Sequence, residues 1–283
     1  MASQREIRRR IASVRNIKQI TRAMQFVAAS KLKRAQDATL ASRPYSETLD
    51  EVLADVAAVL GGETHPLLAQ REGNRRCLVV FTTDRPLAGA LNANVVRFAG
   101  REIVEHQGEI TVVAVGRKGR DALRRMRVPI SAFFLNFGDR PAFADVLPLA
   151  RLVTDDFLAG TYDRVDLVYP QFVSTLTQRP VLATLLPIHP SEDTKGIPGN
   201  QFLFEPSPGS VLEQLVPRYV AVRLFQAVLE SAASEQSSRM VAMRNATENA
   251  EELIDDLTLT YNKVRQANIT REMIEIASGA QAS

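Results

Sequence analysis

Between Arg218 and Ser278 the chain contains neither proline nor glycine. Along this stretch apolar residues recur largely in steps of three and four, at Met240, Met243, Ala246, Ala250, Leu253, Leu257, Tyr261 and Val264, with Leu229 before them. That spacing is the seam of a coiled coil. Pro208-Gly209-Ser210 leads into it, and Ser210 with Glu213 has the form of a capping box. Pro217 falls early, where it would kink the helix or delay its regular part. At about 1.5 Å per residue, a helix from Ser210 to Gly279 extends on the order of 100 Å, wider than a globular domain of this size. Such a helix needs something to cover its apolar stripe along its length.

The other end of the chain offers a matching element. Ile7, Ile11, Val14, Ile17, Ile20, Met24, Val27 and Leu32 follow helical periodicity, and Ser3 with Glu6 forms a capping-box pattern at its start. No glycine precedes Gly61; Pro44 is expected to kink or end the first segment, with Thr48 to Leu60 resuming the helix. If both terminal helices leave the middle of the chain on the same side, they run antiparallel. The ends of the chain then meet far from the central domain. The last helix is longer by roughly 15 residues, an overhang of about 20 Å from Gln266 onward. Ala267, Ile269, Met273, Ile274, Ile276 and Ala277 make that overhang apolar around much of its circumference.

Between the helices the texture changes. Arg76 to Thr82, Ile110 to Val115, Val128 to Phe134 and Val165 to Tyr169 read as short buried strands, with Pro180 to Leu186 as a weaker fifth. They alternate with helical stretches at Ala90 to His106, Lys118 to Met126 and Phe143 to Ala159, and residues 190 to 209 read as a loop. The expected fold is therefore α/β with long helices: an antiparallel coiled coil of the N- and C-terminal helices plus a central Rossmann-like α/β domain with a mainly parallel sheet. The corresponding segments are 1–60, 75–190 and 209–283.

Charge is distributed unevenly. The formal net charge of +3 conceals +9 over residues 1 to 35, where ten basic side chains face only Glu6, and −3 in each of 36–209 and 210–283. Arg8, Arg9, Arg10, Arg15 and Lys18 form the core of this basic face. It suggests an acidic partner, a polyanion or a membrane surface. An Arg-rich, acid-poor start also resembles an organelle transit peptide, but the periodicity continues through Leu32 without a cleavage-like break. No apolar run approaches the roughly 20 residues that span a bilayer. Cys77, the single cysteine, cannot form an internal disulfide, which suits a reducing cytosol.

Catalytic chemistry is hard to assemble from these residues. Gly116-Arg117-Lys118-Gly119 has the flavour of a phosphate-binding loop but not its spacing. Thr83-Asp84-Arg85-Pro86-Leu87-Ala88-Gly89 follows the first strand, where a doubly wound fold would place its site, yet lacks the dinucleotide glycine pattern; it reads as a strand-to-helix turn with Asp84 as a cap. His65, His106 and His189 are far apart in sequence and show no metal-ligand spacing. Adjacent acids at Asp155-Asp156, Glu251-Glu252 and Asp255-Asp256 read as solvated helix faces. No catalytic residue, metal or cofactor is expected. A nucleotide-dependent enzyme in the central domain and a basic-helix nucleic-acid-binding or scaffold protein are the alternatives, the latter requiring steeply salt-dependent binding.

EIRRRIASVRNIKQITRAMQFVAASKLKRAQ (6–36) and ASRPY (41–45) closely resemble the start of the gamma subunit of F-type ATP synthases. ASEQSSRMVAMRNATENAEELI (233–254) and LTLTYNKVRQANITREMIEIASGA (257–280) resemble its end, and TTDRPLAGALNANV (82–95) its segment after the first central strand. The resemblance implies a non-catalytic rotor shaft of the bacterial type. Its coiled coil turns inside the alternating alpha and beta subunits, its α/β domain rests beside epsilon on the membrane c ring, and ATP chemistry stays in beta. It implies a peripheral position on the cytoplasmic face of the cell membrane. By the same resemblance Met24 and Arg239 match coupling positions near acidic loops of beta, and Arg265, Gln266, Thr270 and Glu272 match an upper contact cluster; the rotor-shaft reading predicts a nearly constant residue-number sum along the helix pair, with Met24 close to Arg239 and Arg8 to Arg10 near Asp255 and Asp256. Where the family usually has glycine after the Asp-Arg or Asp-Lys pair, this chain has Pro86, so the local turn must differ.

Overall fold

The computed structural model describes residues 3–60, 65–189, 205 and 207–281. Two long helices, α1 (Gln4–Leu60) and α5 (Pro208–Gln281), enclose in sequence an alternation of β1 (Arg76–Phe81), α2 (Leu91–Glu105), β2 (Ile110–Val115), α3 (Arg117–Arg125), β3 (Ile130–Phe134), α4 (Phe143–Leu158), β4 (Arg164–Phe172) and β5 (Gln178–Leu186). The chain divides into two compact units, one of residues 1–28 with 239–283 and one of 29–238.

In the larger unit five strands form one sheet in the order β3-β2-β1-β4-β5. The first four are parallel and β5 runs antiparallel to β4. Every residue of β1 is buried, as expected of a central strand covered on both faces. Alternation assigns the two faces. Cys77, Val79 and Phe81 with Val113, Val115, Val165 and Leu167 pack against α4, the 49–56 stretch of α1 and the 212–228 stretch of α5. Leu78, Val80, Val112 and Ala114 pack against Val95, Ala99 and Leu123 of α2 and α3. Burial pushes the Cys77 thiol up to about 12, with Asp156 and Asp166 adding to the shift, so its nucleophilic thiolate form is suppressed.

Pro44 and Pro217 both sit inside helices. α1 continues through Pro44 and α5 through Pro217, whereas the sequence reading has Pro44 kinking or ending its segment. Tertiary contacts offset the lost backbone bond: the Arg218 guanidinium donates to the Tyr45 hydroxyl at 3.2 Å and lies 4.3 Å from the Phe143 ring centroid, and Arg223 pairs with Asp50 at 2.9 Å. The start of α5 also differs from the capping box expected at Ser210. Ser207 is the cap: its hydroxyl accepts from the Ser210 amide at 3.2 Å and its carbonyl from the Val211 amide at 3.1 Å, with Pro208 in the first helical position. At the start of α1 half of the box forms. The Ser3 hydroxyl accepts from the Glu6 amide, while the Glu6 carboxylate pairs with Arg10.

Leu53 of α1 is 1% exposed within the larger core and Leu40 is 56% exposed. Leu53→Ala should cost about 2–5 kcal/mol and Leu40→Ala no more than about 0.5 kcal/mol. Urea midpoints followed by circular dichroism check this, and equal shifts would contradict the placement of α1 on the sheet.

Candidate partner-facing surfaces and the strand-end crevice

In the smaller unit the two helix segments run antiparallel. Hydrogen bonds join Gln4 and Arg8 to Tyr261, Lys18 to Glu251 and Thr21 to Thr247, pairs whose residue numbers add to 265, 269, 269 and 268. A near-constant sum defines an antiparallel register. A run of covered positions, Ile7, Ile11, Val14, Lys18, Thr21, Gln25 and Ala28 on α1 and Met243, Thr247, Ala250, Ile254, Leu257, Tyr261 and Val264 on α5, follows steps of four and three, with Met24 and Ala246 partly covered beside it. Ile254 thus replaces Leu253 in the expected seam. On α1, Ile17, Ile20 and Val27 leave it altogether, at 49%, 60% and 53% exposure.

Polar groups take their places. Thr21, 8% exposed, sits 2.7 Å from Thr247, hydroxyl to hydroxyl. Each hydroxyl also reaches a carbonyl of its own helix, Thr247 that of Met243 at 2.8 Å and Thr21 that of Lys18 at 3.1 Å, so each has a partner in its own helix as well as across the pair. Lys18 reaches Glu251 at 2.6 Å, and this bond holds the Glu251 carboxyl below its ordinary value. Hydrogen bonds from Arg8, at 2.6 Å, and Gln4 likewise hold the Tyr261 hydroxyl below its ordinary value.

These pins correct the expected register. Met24, half-buried, is level with Arg244 rather than Arg239, a displacement of five residues or about 7 Å. Arg8 lies on Tyr261 rather than beside Asp255 and Asp256, and Arg10 pairs within its own helix with Glu6 at 2.8 Å. The expected register came from the family resemblance, whereas the helices are aligned by hydroxyls and an ion pair. Arg239 is buried at 8% exposure. Arg9 and Arg15 are exposed and make no ion pair among the described residues. Arg265, Gln266, Thr270 and Glu272 all lie exposed on the last turns of α5, with Ile269, Met273, Ile274 and Ile276 exposed among them.

In the larger unit, a crevice of about 200 Å³ opens at the C-terminal ends of β1 and β2, lined by Phe81 to Arg85, Asn92, Gly116, Asn136 and Asp139. This is where doubly wound sheets bind ligands. Here the chain fills the anion position itself. The Arg117 amide donates to Asp84 Oδ1 at 2.9 Å, the Lys118 amide to the Thr83 carbonyl at 3.0 Å and the Gly119 amide to Thr82 Oγ1 at 2.8 Å. Asp84 therefore caps α3, not the helix that follows it, and also accepts from the Asn136 amide at 2.8 Å. Gly116, at φ +92°, and Gly119 are needed because a Cβ at either would run into Thr82. Beside them the turn that contains Pro86 takes positive φ at Leu87, +69°, and at Gly89, +54°.

Sequence reasoning missed Asp139, in the loop before α4. Its carboxylate accepts from Lys31 at 2.7 Å, Arg85 at 3.2 Å and Gln236 at 3.4 Å, tying α1, the turn after β1 and α5 together. Ser234, Ser237 and Ser238 complete the attachment of α5 by donating to the carbonyls of Pro170, Thr175 and Ala88. Among the described residues no group of His, Cys, Asp and Glu could hold a metal ion, and no helix is long and apolar enough to cross a membrane.

Partial burial pushes the Asp139 carboxyl up, but Lys31 and Arg85 outweigh it and hold it below its ordinary value. A depressed folded-state value contributes stability that is present above the unfolded-state value and lost as pH falls through the folded one. Asp139→Asn should therefore destabilise by roughly 1–2 kcal/mol at pH 7, and the gap should close below about pH 4. Urea midpoints of both proteins at the two pH values check this; a gap that persists in acid would remove the charge from the explanation.

The comparisons fit this architecture. A family model described as ATP synthase matches residues 3–282. An ATP synthase gamma chain of Dehalococcoides mccartyi is 50% identical over all of this chain and 99% of its own length, and one of Roseiflexus castenholzii is also 50% identical with the same coverage. A chain in the cryo-EM structure of the Tetrahymena thermophila mitochondrial ATP synthase central stalk and c-ring superposes with a TM-score of 0.64 at 25% identity, over 80% of this chain and 99% of that one. A chain in the Euglena gracilis mitochondrial ATP synthase rotor superposes at 0.66 and 22% identity, over 94% and 98%. With a match from end to end and relatives sharing half of their residues, this chain belongs to the ATP synthase gamma chain family.

Proposed function

We propose that the chain is the central rotor shaft of a bacterial-type F-type ATP synthase. It couples proton-driven rotation of the c ring to ATP synthesis in beta subunits, or hydrolysis there to proton pumping. The observation that carries this reading is the antiparallel helix pair of a gamma-family chain whose last turns, from Gln266 onward, expose apolar residues around the helix. A shaft turning in a sleeve needs a surface without strong directional anchors. The chain itself is non-catalytic and acts by differential contact with the states of its neighbours, the means open to a partner that takes no part in the reaction. The filled α3 amides at the strand-end crevice support this, since a phosphate there would have to displace Asp84.

The partners in this reading are the alternating alpha and beta subunits, epsilon and the c ring, on the cytoplasmic face of the cell membrane with the chain held peripherally. Segments 1–60 and 209–283 serve as the shaft and 75–190 as the domain docked on the ring. Met24 and Arg239 are assigned to coupling, and Arg265, Gln266, Thr270 and Glu272 to the upper contact cluster. The exposed Arg9 and Arg15, with Arg8, Arg10 and Lys18, supply a basic face to acidic loops through exchangeable, salt-sensitive contacts.

Reconstitution with alpha, beta and epsilon subunits tests the proposal: ATP hydrolysis should depend on adding this chain. Ending the chain after Gln266 should weaken torque or assembly while the thermal transition of residues 29–238 is retained. Full coupling by the shortened chain would remove the last turns from the mechanism, and hydrolysis indifferent to the full chain would remove the rotor reading itself.

A further inference from the structure

At the opposite ends of the strands from the crevice lies a second cleft, of about 380 Å³. Its walls carry four guanidinium groups, of Arg71, Arg75, Arg76 and Arg164, and two imidazoles, of His106 and His189, against the single carboxylate of Asp163. Two buried carboxylates hold this arrangement in place. Asp163 accepts from the amide, Nε and Nη2 of Arg75 at 2.9, 3.0 and 2.8 Å. Gly73 brings the 70–75 loop flat onto it, since any Cβ there would meet the Asp163 carboxylate. Asp166, 0% exposed and outside the lining, accepts from Arg76 Nε at 2.6 Å and Arg164 Nε at 2.8 Å.

Glu102 accepts from Arg76 Nη2 at 3.2 Å, so carboxylates take Nε and Nη2 of both Arg75 and Arg76 but only Nε of Arg164, and none takes Arg71. Arg164 gives Nη2 to Thr184 at 2.8 Å, while its Nη1, like that of Arg75, has no hydrogen bond among the described residues. Arg71 stacks 4.3 Å from the Phe157 centroid and gives Nη1 to the Tyr162 carbonyl. Guanidiniums fixed in orientation lose little entropy when a ligand arrives, and their planar forks match oxyanion geometry. A planar carboxylate engages one fork; a tetrahedral, multiply charged oxyanion engages donors arriving from several directions.

We propose that this cleft binds an oxyanion of the phosphate class, supplied either as free phosphate or as the headgroup of an anionic phospholipid. The test titrates the full-length chain with sodium phosphate at constant ionic strength, with acetate as control, and measures flotation with phosphatidylcholine vesicles with and without phosphatidylglycerol. Saturable phosphate binding that acetate does not match, or flotation only with phosphatidylglycerol, supports the site and identifies its source. Arg71→Gln should weaken either interaction about tenfold or more, the worth of a charge-assisted hydrogen bond. It leaves both carboxylate networks intact, so it separates binding from folding; Arg164→Gln, checked by circular dichroism, should do the same. Absence of both interactions, equal competition by acetate, or affinities unchanged in folded variants would overturn the proposal.

Discussion

Two helices of 57 and 74 residues exist here only because each covers an apolar stripe of the other or of the sheet. An isolated helix in water is marginal even with good propensity, and its stability in proteins comes from the face it buries. Within the smaller unit that face is narrow and alternates by four and three, so alignment depends on what sits in it. Aliphatic side chains such as Ile7 and Ile11 bury well at several alignments. Thr21 on Thr247 and Lys18 on Glu251 satisfy each other at one only. The apolar residues supply the affinity of the two segments, and the hydroxyls and the ion pair choose how they align.

The same division between general burial and specific polar contact explains what could be read from the sequence. Strands β1 and β2 and all three short helices were legible to within a residue or two, because runs such as Ile110 to Val115 carry their own period. The mainly parallel sheet followed from the alternation of elements. Pro44 was misleading because its local cost is offset by Arg218 on Tyr45 and Phe143, residues remote in sequence. The seam of α1 drifted from its apolar pattern after Val14, since a lysine and a threonine that look solvent-facing in sequence are covered by α5. Asp139 carried no local signal at all, as its three partners are contributed by three separate segments.

The larger unit uses its sheet unequally. At the C-terminal strand ends the amides that other doubly wound folds keep for a ligand are turned inward onto Thr82, Thr83 and Asp84, and Ser231, Ala232 and Glu235 of α5 line the remaining space. The glycines Gly116 and Gly119, which in sequence suggest a phosphate loop, serve close approach of helix to strand. At the N-terminal strand ends the polar groups are arranged the other way, with carboxylates buried beneath and guanidiniums outermost. One end is closed by its own chemistry and the other presents charge.

The outward stripe of Ile17, Ile20 and Val27 gives α1 two apolar sides, of which α5 covers one. A protein built this way is complete as a fold before it is complete as a surface. Left uncovered, that second stripe would face solvent and draw copies of the chain to one another. Whatever closes over α1 therefore has a second apolar stripe to bury, separate from the seam that α5 fills, and the solubility of the chain depends on that closure.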